Sequence, residues 1–402
     1  MAVSLALLLA ACGGGDDPAD SPEPSDAAAS ASPDAAVDDE TTTAETTDET
    51  AETTEAAPDR TITIAASGDV LPHASVVANA KANANSNSSD DYDFSPMFAE
   101  IEPLISSADL ALCHMETPIS ADNTTITQPR VLIFSSPREL AANLATAGYD
   151  GCDFASNHTI DQGLSGLKDT EDVITDAGLG YAGPTGYEDR AGEQQIFDVE
   201  GIKVAHLAYT YTFPNASEPN TDVPAFAPWM SPTLWPLAGS EGILSDAEQA
   251  RGDGAELVVV SMHWGQEYNT TPTDAQTEIA DELLKSGEVD LILGTHVHVP
   301  QACEEINDRF VLYGLGNSLS NQSPDVDSRL RVATQEGMVA EVTLTLRGDG
   351  EVTSSLAVQP TRVNLNGHII EPVGPDNFPE TAQRTEETLT SLGTCEPEIL
   401  EP

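Results

Sequence analysis

The spacing of apolar positions changes period along the chain. Residues 61–70, "TITIAASGDV", pair apolar and β-branched residues ahead of a Gly-Asp step, which predicts a buried strand. Phe94, Met97, Phe98, Ile101, Leu104 and Ile105 recur at helical intervals and predict a helix over 94–106. "DLALCHMETP" (109–118) reads as a second strand and 136–150 as a helix capped by Ser135 or Ser136. A strand at 151–158, "GCDFASNH", and a helix over 161–179 ending at Gly178 follow. Further strands are expected at 195–199, 202–210, 256–262, 289–294 and 310–314, with a helix over 272–287. Two long alternating strands are expected at 337–346 and 351–362, and a helix-like "ETAQRTEETLTSL" lies beyond 375. The Pro-rich stretch 212–237 is expected to form a lid or loop. Early alternation of strand and helix argues for an α/β fold, and the run of strands after 290 argues for a second sheet or a mixed edge.

Composition divides the chain near residue 60. The first sixty residues hold 15 Asp and Glu against the single basic Arg60, and no aromatic residue. Such a stretch cannot bury enough apolar surface to offset its ordering entropy, so 13–59 is expected to be a disordered acidic stalk. Ahead of it, "MAVSLALLLAACGGG" has a short apolar core and small residues before Cys12. That pattern predicts a lipoprotein-type signal at 1–12, with Cys12 lipidated and the protein exported to the bacterial cell surface on a lipid anchor. The folded domain is placed at 60–375 and a C-terminal tail at 376–402.

Removing the −14 of the first sixty residues from the chain's −53 leaves −39 on residues 61–402. A body this acidic argues against nucleic acid, which needs basic patches. Cys113, Cys152, Cys303 and Cys395 are an even set in an oxidising compartment and allow three pairings. Cys113–Cys152 is favoured because both sit in or beside strands placed near each other, leaving Cys303–Cys395 to pin the tail.

The chemistry collects at strand ends. Asp69 with His73, His114 with Glu116, Asn157 and His158 with Asp161, His263 with Glu267, and His296 with His298 each terminate an expected strand. Ligands of open α/β sheets bind beyond the strands' carboxyl ends, so these segments can converge on one site. Imidazole with carboxylate suits zinc, manganese or iron, and this many donors could hold two divalent ions. In an extended "THVH" the residues two apart face one side, which would let His296 and His298 reach adjacent ions. A closed structural zinc site needs only four ligands, mostly Cys and His, and this set offers more. His206 is expected in the core, His368 in solvent, Trp264 as a packing wall, and Gly316-Asn317 in a tight turn near the site.

Taken in order, "GDV", "METP", "SNHTIDQG", "HWGQEY", "GTHVHVPQ" and "YGLGNS" resemble the CapA family, associated with poly-γ-glutamate capsule synthesis. The resemblance implies a calcineurin-like metallophosphoesterase-type α/β sandwich of two mixed sheets flanked by helices. It implies that Asp69 and His298 ligate one ion, that Asn157, His263 and His296 ligate a second, and that Glu116 bridges them. His158 would be the general acid, with Asp161 the nearest carboxylate to it in sequence. His73, His114, Glu267 and Asn317 are possible additional site residues; His114 stands where the family usually carries Asn. Two functions follow from this: a metal-dependent hydrolase acting on a phosphoester, or a non-catalytic metal-dependent module that binds or tethers an anionic polymer. Either would place the protein beside capsule-synthesis machinery.

Overall fold

The computed structural model describes residues 57–402, apart from 88 and 89, so the expectations for the signal, Cys12 and nearly all of the stalk fall outside the described residues. The first strands are β1 (Arg60–Val70), β2 (Leu110–Met115), β3 (Ile119–Ser120), β4 (Ser136–Pro137), β5 (Gly151–Asp153) and β6 (Gly180–Ala182). β7 (Gln195–Val199), β8 (Ile202–Thr210), β9 (Leu257–His263), β10 (Leu291–Thr295), β11 (Cys303–Ile306) and β12 (Arg309–Leu312) come next. β13 (Asn317–Leu319), β14 (Glu336–Leu346), β15 (Val352–Asn364), β16 (Ile369–Pro372) and β17 (Glu398–Ile399) complete them. The helices are α1 (Ala74–Asn87), α2 (Ser95–Phe98), α3 (Glu102–Ser106), α4 (Glu139–Thr146), α5 (Gly163–Asp176), α6 (Trp235–Gly252), α7 (Asp274–Ser286) and α8 (Pro379–Leu389).

Two mixed sheets result. The first runs β16-β15-β14-β1-β2-β5-β6, with β13 added to β1 and β17 to β15. The second runs β11-β12-β10-β9-β8-β7. In each, the central strands are parallel; antiparallel pairing begins at β1–β14 in the first sheet and at the β7–β8 and β11–β12 hairpins in the second. Alternation along β1 explains the layering: Ile62, Ile64 and Ala66 pack against Val204, Val259, Leu291 and Leu293 of the second sheet. Ala65 points the other way, among the helices α2 to α5. The second sheet's outer face, with Val258, Val260 and Ile292, is covered by α6 and α7. The architecture is helix, sheet, sheet, helix, the sandwich of mixed sheets flanked by helices expected for the chain.

Several local expectations are corrected. The single helix over 94–106 is two short ones, because Pro103 lacks the N–H that a continuous helix would give the Ala99 carbonyl. The helix expected from 136 begins at Glu139 without a serine cap, since Ser136 is taken into β4. α1 was not expected; its Ala- and Asn-rich face shows little amphipathic contrast, yet Val76, Val77 and Ala80 are buried. His368, expected in solvent, is buried, with its Nδ1 2.6 Å from Asn79 Nδ2 of that helix. Cys113 faces Cys152 in the β2/β5 register and is joined to it, and Cys303 is joined to Cys395. Residues 376–402 carry α8 and β17, and place Leu389 and Cys395 in the core between the sheets. Among the described residues no helix is long and apolar enough to cross a membrane.

One close backbone approach sets the site's position. A Cβ on Gly68 would stand 1.8 Å from the Gly316 carbonyl oxygen, to which Asp69 N–H donates at 2.9 Å. Only glycine lets β1 come this near the turn before β13, and the approach delivers Asp69 beside Asn317. Gly68→Ala is expected to lower the unfolding free energy by about 1–3 kcal/mol, read as a lower urea midpoint at unchanged slope. Gly252→Ala, where an added Cβ meets nothing within 4 Å, is the control and should keep the parental midpoint. Equal midpoints for the two variants would refute the close-approach argument.

Candidate metal centre

The site forms where the carboxyl ends of both sheets meet. Asp69 lies near the end of β1, His114 in β2 with Glu116 just past it, and Asp153 at the end of β5. Asn157 and His158 occupy the turn after β5, His263 ends β9, His296 and His298 follow β10, and Asn317 opens β13. His296 and His298 are not in extended backbone, as the sequence suggested. Their φ values are 86° and 58°, in the left-handed region that costs a non-glycine residue about 1–3 kcal/mol. Val297 and Val299 are buried on Ala333, which helps hold that bend.

Asp69 collects the ends of both sheets. Its Oδ1 accepts the His296 N–H at 3.2 Å, and its Oδ2 accepts His298 Nδ1–H at 2.9 Å. His298 Nδ1 also lies 3.1 Å from Asn317 Oδ1, while Asn317 Nδ2 donates to the Thr334 carbonyl at 2.8 Å. On its other side His298 Nε2 is 3.5 Å from Glu116 Oε1. His114 Nδ1 donates to Asp153 Oδ1 at 2.7 Å, which leaves Nε2 as that ring's donor atom. His263 lies between Thr295 Oγ1, 3.1 Å from Nδ1, and Asn157 Oδ1, 2.9 Å from Nε2. Its ring stacks on His114 at 4.8 Å and sits 4.7 Å from His296, which in turn contacts Tyr211.

Burial and neighbouring charge divide these groups. Burial, followed by the mutual proximity of the histidines, pushes His263 and His296 well below the usual imidazole range, so both are neutral, as ligands must be. Burial also pulls His298 and His114 down, but carboxylates outweigh it. Glu116 and Asp69 hold His298 up at about 10, and Asp153 holds His114 up at about 9. Burial pushes the Glu116 carboxyl up to about 7 against the pull of His298.

The donor set fits a divalent cation. Both Glu116 oxygens, His114 Nε2 and His296 Nδ1 are buried without a hydrogen-bond partner. Each such atom costs about 1–3 kcal/mol unless something satisfies it. Among the described residues, two groups have donor atoms within 4.8 Å of one another: Asp69, His114 and His263, and Asp69, Glu116 and His298. The carboxylate common to both is Asp69, whereas the resemblance implied Glu116 as the bridge. Nitrogen and carboxylate oxygen together suit zinc, manganese or iron.

Every residue expected to ligate a metal is brought into this one cluster, and His114 sits inside it rather than at its edge. Asn317 orients His298 from outside. His73 lies on the cleft wall, its Nδ1 3.0 Å from the Leu71 carbonyl oxygen and its ring edge-on to Phe134. Glu267 is exposed at the mouth. His158, on the wall of a cleft of about 240 Å³, pairs with Asp161, Nδ1 to Oδ2 at 2.8 Å. Sequence reasoning missed Asp153, Thr295 and Tyr211. Asp153 sits directly opposite His114 in the β2/β5 register, so an acidic residue at the end of the next strand was the available signal.

Residues 63–322 match the family model described as "Bacterial capsule synthesis protein PGA_cap". Among proteins with similar sequences, "Capsule biosynthesis protein CapA" of Bacillus anthracis is 27% identical over 58% of this chain and 55% of its own length. "PGA biosynthesis protein CapA" of Bacillus subtilis is 26% identical over 56% of this chain and 57% of its own. The chain therefore spans about half the length of these relatives. Among solved structures it is similar to the calcineurin-like phosphoesterase YfkN from Bacillus subtilis, at 14% identity and a TM-score of 0.44 over 82% of this chain and 98% of that one. Because the family model spans well over half of the sequence, this protein belongs to the bacterial capsule synthesis PGA_cap family.

Proposed function

We propose that this chain is an exported, lipid-anchored cell-surface protein of capsule or poly-γ-glutamate synthesis or anchoring, whose buried centre holds two divalent cations and works as a metal-dependent hydrolase. The observation that carries the reading is the set of unpartnered buried atoms on Glu116, His114 and His296, gathered around Asp69, whose partner His298 lines a cleft. Asp69, His114, Glu116, Asn157, His263, His296 and His298 would hold the cations. A bound pair of divalent ions supplies an acidified water and neutralises charge on the substrate's oxygens.

The remaining work falls to the chain's own side chains. Asp161 accepts His158 Nδ1–H and also the Phe134 N–H at 2.7 Å, while the Phe134 ring meets His158 edge-on. These contacts fix the imidazole plane and leave Nε2 as the nitrogen that gives a proton to the departing oxygen. Asp153 and Asn317 hold the His114 and His298 rings at their angles, so the donors are set before a ligand arrives. Capsule-synthesis machinery is the proposed partner and a phosphoester the proposed substrate class.

A second reading, a non-catalytic metal-dependent tether for an anionic polymer, draws support from Glu116 standing where related phosphoesterases carry aspartate, and from Thr159 following His158.

Two outcomes follow. Metal analysis of the purified protein should find two divalent ions per chain, with Glu116→Gln and Asp69→Asn each lowering that number; one ion or none in the parent would remove the hydrolase mechanism. His158→Ala should keep its metal while turnover of bis(4-nitrophenyl) phosphate drops by about 10²- to 10⁴-fold. Full turnover in that variant would rule out His158 as the acid, and a metal-loaded parent inert toward every phosphoester would favour the tether.

A further inference from the structure

Several residues of the candidate centre come from two neighbouring strands that the sheet itself pairs only briefly. β2 carries His114, with Glu116 just past its end, while β5 ends at Asp153 and the turn after it carries Asn157 and His158. β5 is three residues long and makes three pairs with β2 and three with β6. On the other side of β2 the register with β1 shifts between Ser67 and Asp69, so Cys113 stands opposite Ser67 and His114 opposite Asp69. The ladder is therefore short on one flank of β2 and irregular on the other, at the level where His114 meets its partners.

A covalent bond lies at that level. Cys113 is joined to Cys152, and the next pair in the register is His114 with Asp153. Successive residues of a strand face opposite sides. Both cysteines are buried in the core on the helix side, and the 2.7 Å contact from His114 Nδ1 to Asp153 Oδ1 lies on the other face. A slip of one residue would turn Asp153 away from His114 and toward the helices. It would also move the turn beyond, where Ser156 Oγ donates to the Glu116 carbonyl at 3.0 Å and accepts the His158 N–H at 2.9 Å. A three-residue strand supplies few hydrogen bonds to resist such a slip.

We infer that Cys113 and Cys152 are positioning residues of the centre. Their disulfide fixes the register of β5 on β2, and through it the orientation of His114 by Asp153 and the placement of Asn157 and His158. The second disulfide, Cys303–Cys395, ties β11 to the C-terminal tail, and neither segment carries a site residue. The two bonds thus separate stability from positioning. In the chain-entropy account a disulfide stabilises more the longer the loop it closes. The separations are 39 residues for Cys113–Cys152 and 92 for Cys303–Cys395. Stability alone would make loss of Cys303–Cys395 the more damaging change, whereas positioning makes loss of Cys113–Cys152 so. The orientation of His114 by Asp153 needs no cation; only the effect on metal affinity rests on the proposed function.

The test compares the full chain with two double variants, each held below its thermal midpoint: Cys113→Val with Cys152→Ala, and Cys303→Ala with Cys395→Ala. Cys152→Ser alone repeats the comparison should the first pair fail to fold. Magnetic resonance of the metal-free, histidine-labelled parent should show a downfield, exchange-protected proton on His114 Nδ1, identified by its disappearance in His114→Asn. That signal is expected to persist without Cys303–Cys395 and to vanish without Cys113–Cys152. Manganese affinity, measured by calorimetry, should fall at least about tenfold without Cys113–Cys152 and hold the parent's value without Cys303–Cys395. A signal kept in both variants, lost from both, or absent from the parent overturns the inference. A parent that gives the expected signals yet binds no manganese removes the proposed metal centre and leaves the positioning role standing.

Discussion

Asp69 is engaged from three directions before any cation arrives. Its N–H donates to the Gly316 carbonyl, its Oδ1 accepts from the His296 backbone, and its Oδ2 accepts from the His298 ring. Asp69 belongs to the first sheet and the two histidines follow a strand of the second. One buried carboxylate thus joins the carboxyl ends of both layers. A lone buried carboxylate would be strongly disfavoured. The left-handed backbone at His296 and His298 is disfavoured too, and the bonds to Asp69 offset it. The sandwich and its centre are held by the same interaction, so neither can shift alone.

The same arrangement suits the candidate site to cations. His263 and His296 are held neutral by burial, while His298 and His114 are held protonated by the carboxylates beside them. Protons balance the negative charge of Asp69, Glu116 and Asp153 only in part, since both Glu116 oxygens lack a donor. A divalent ion does that work better, because it accepts electron pairs from imidazole and carboxylate together. Surface charge does not enter this balance at close range. At ionic strengths near 0.15 M its field is screened over about 8 Å, so the acidic surface bears little on the charge balance of the buried cluster.

Much of this was legible in the sequence, because strands announce themselves by pattern and end in polar residues that have no packing role. Asp69, Glu116, Asn157, His263, His296 and His298 were each found as a polar break at the end of an apolar run. Convergence followed from the rule that parallel strands present their carboxyl ends to one edge. What could not be read was anything set by pairing between distant strands. Asp153 orients His114 only because β5 lies beside β2 in a particular register. The left-handed turn through His296 and His298 depends on Asp69, more than two hundred residues away, so local pattern suggested an extended segment instead. α1 escaped notice because alanine and asparagine give a helix little amphipathic contrast, and its burial comes from the sheet it covers.

The distribution of basic residues follows from the same shortage of positive charge. Arg251 and Arg309 both bind the buried Asp290, Arg190 binds the buried Glu171, and Arg384 binds the buried Glu336. In each case the guanidinium stabilises a carboxylate that the core would otherwise reject. Those arginines are committed to the fold. Arg130 neutralises no buried carboxylate and carries its charge into solvent at the rim of a groove. The loop that carries it lies between two-residue strands and has no period of its own, so packing places few demands on its sequence. Arg331 and Arg347 are likewise exposed and form no ion pair among the described residues, so the buried carboxylates claim one set of arginines and leave another to the surface.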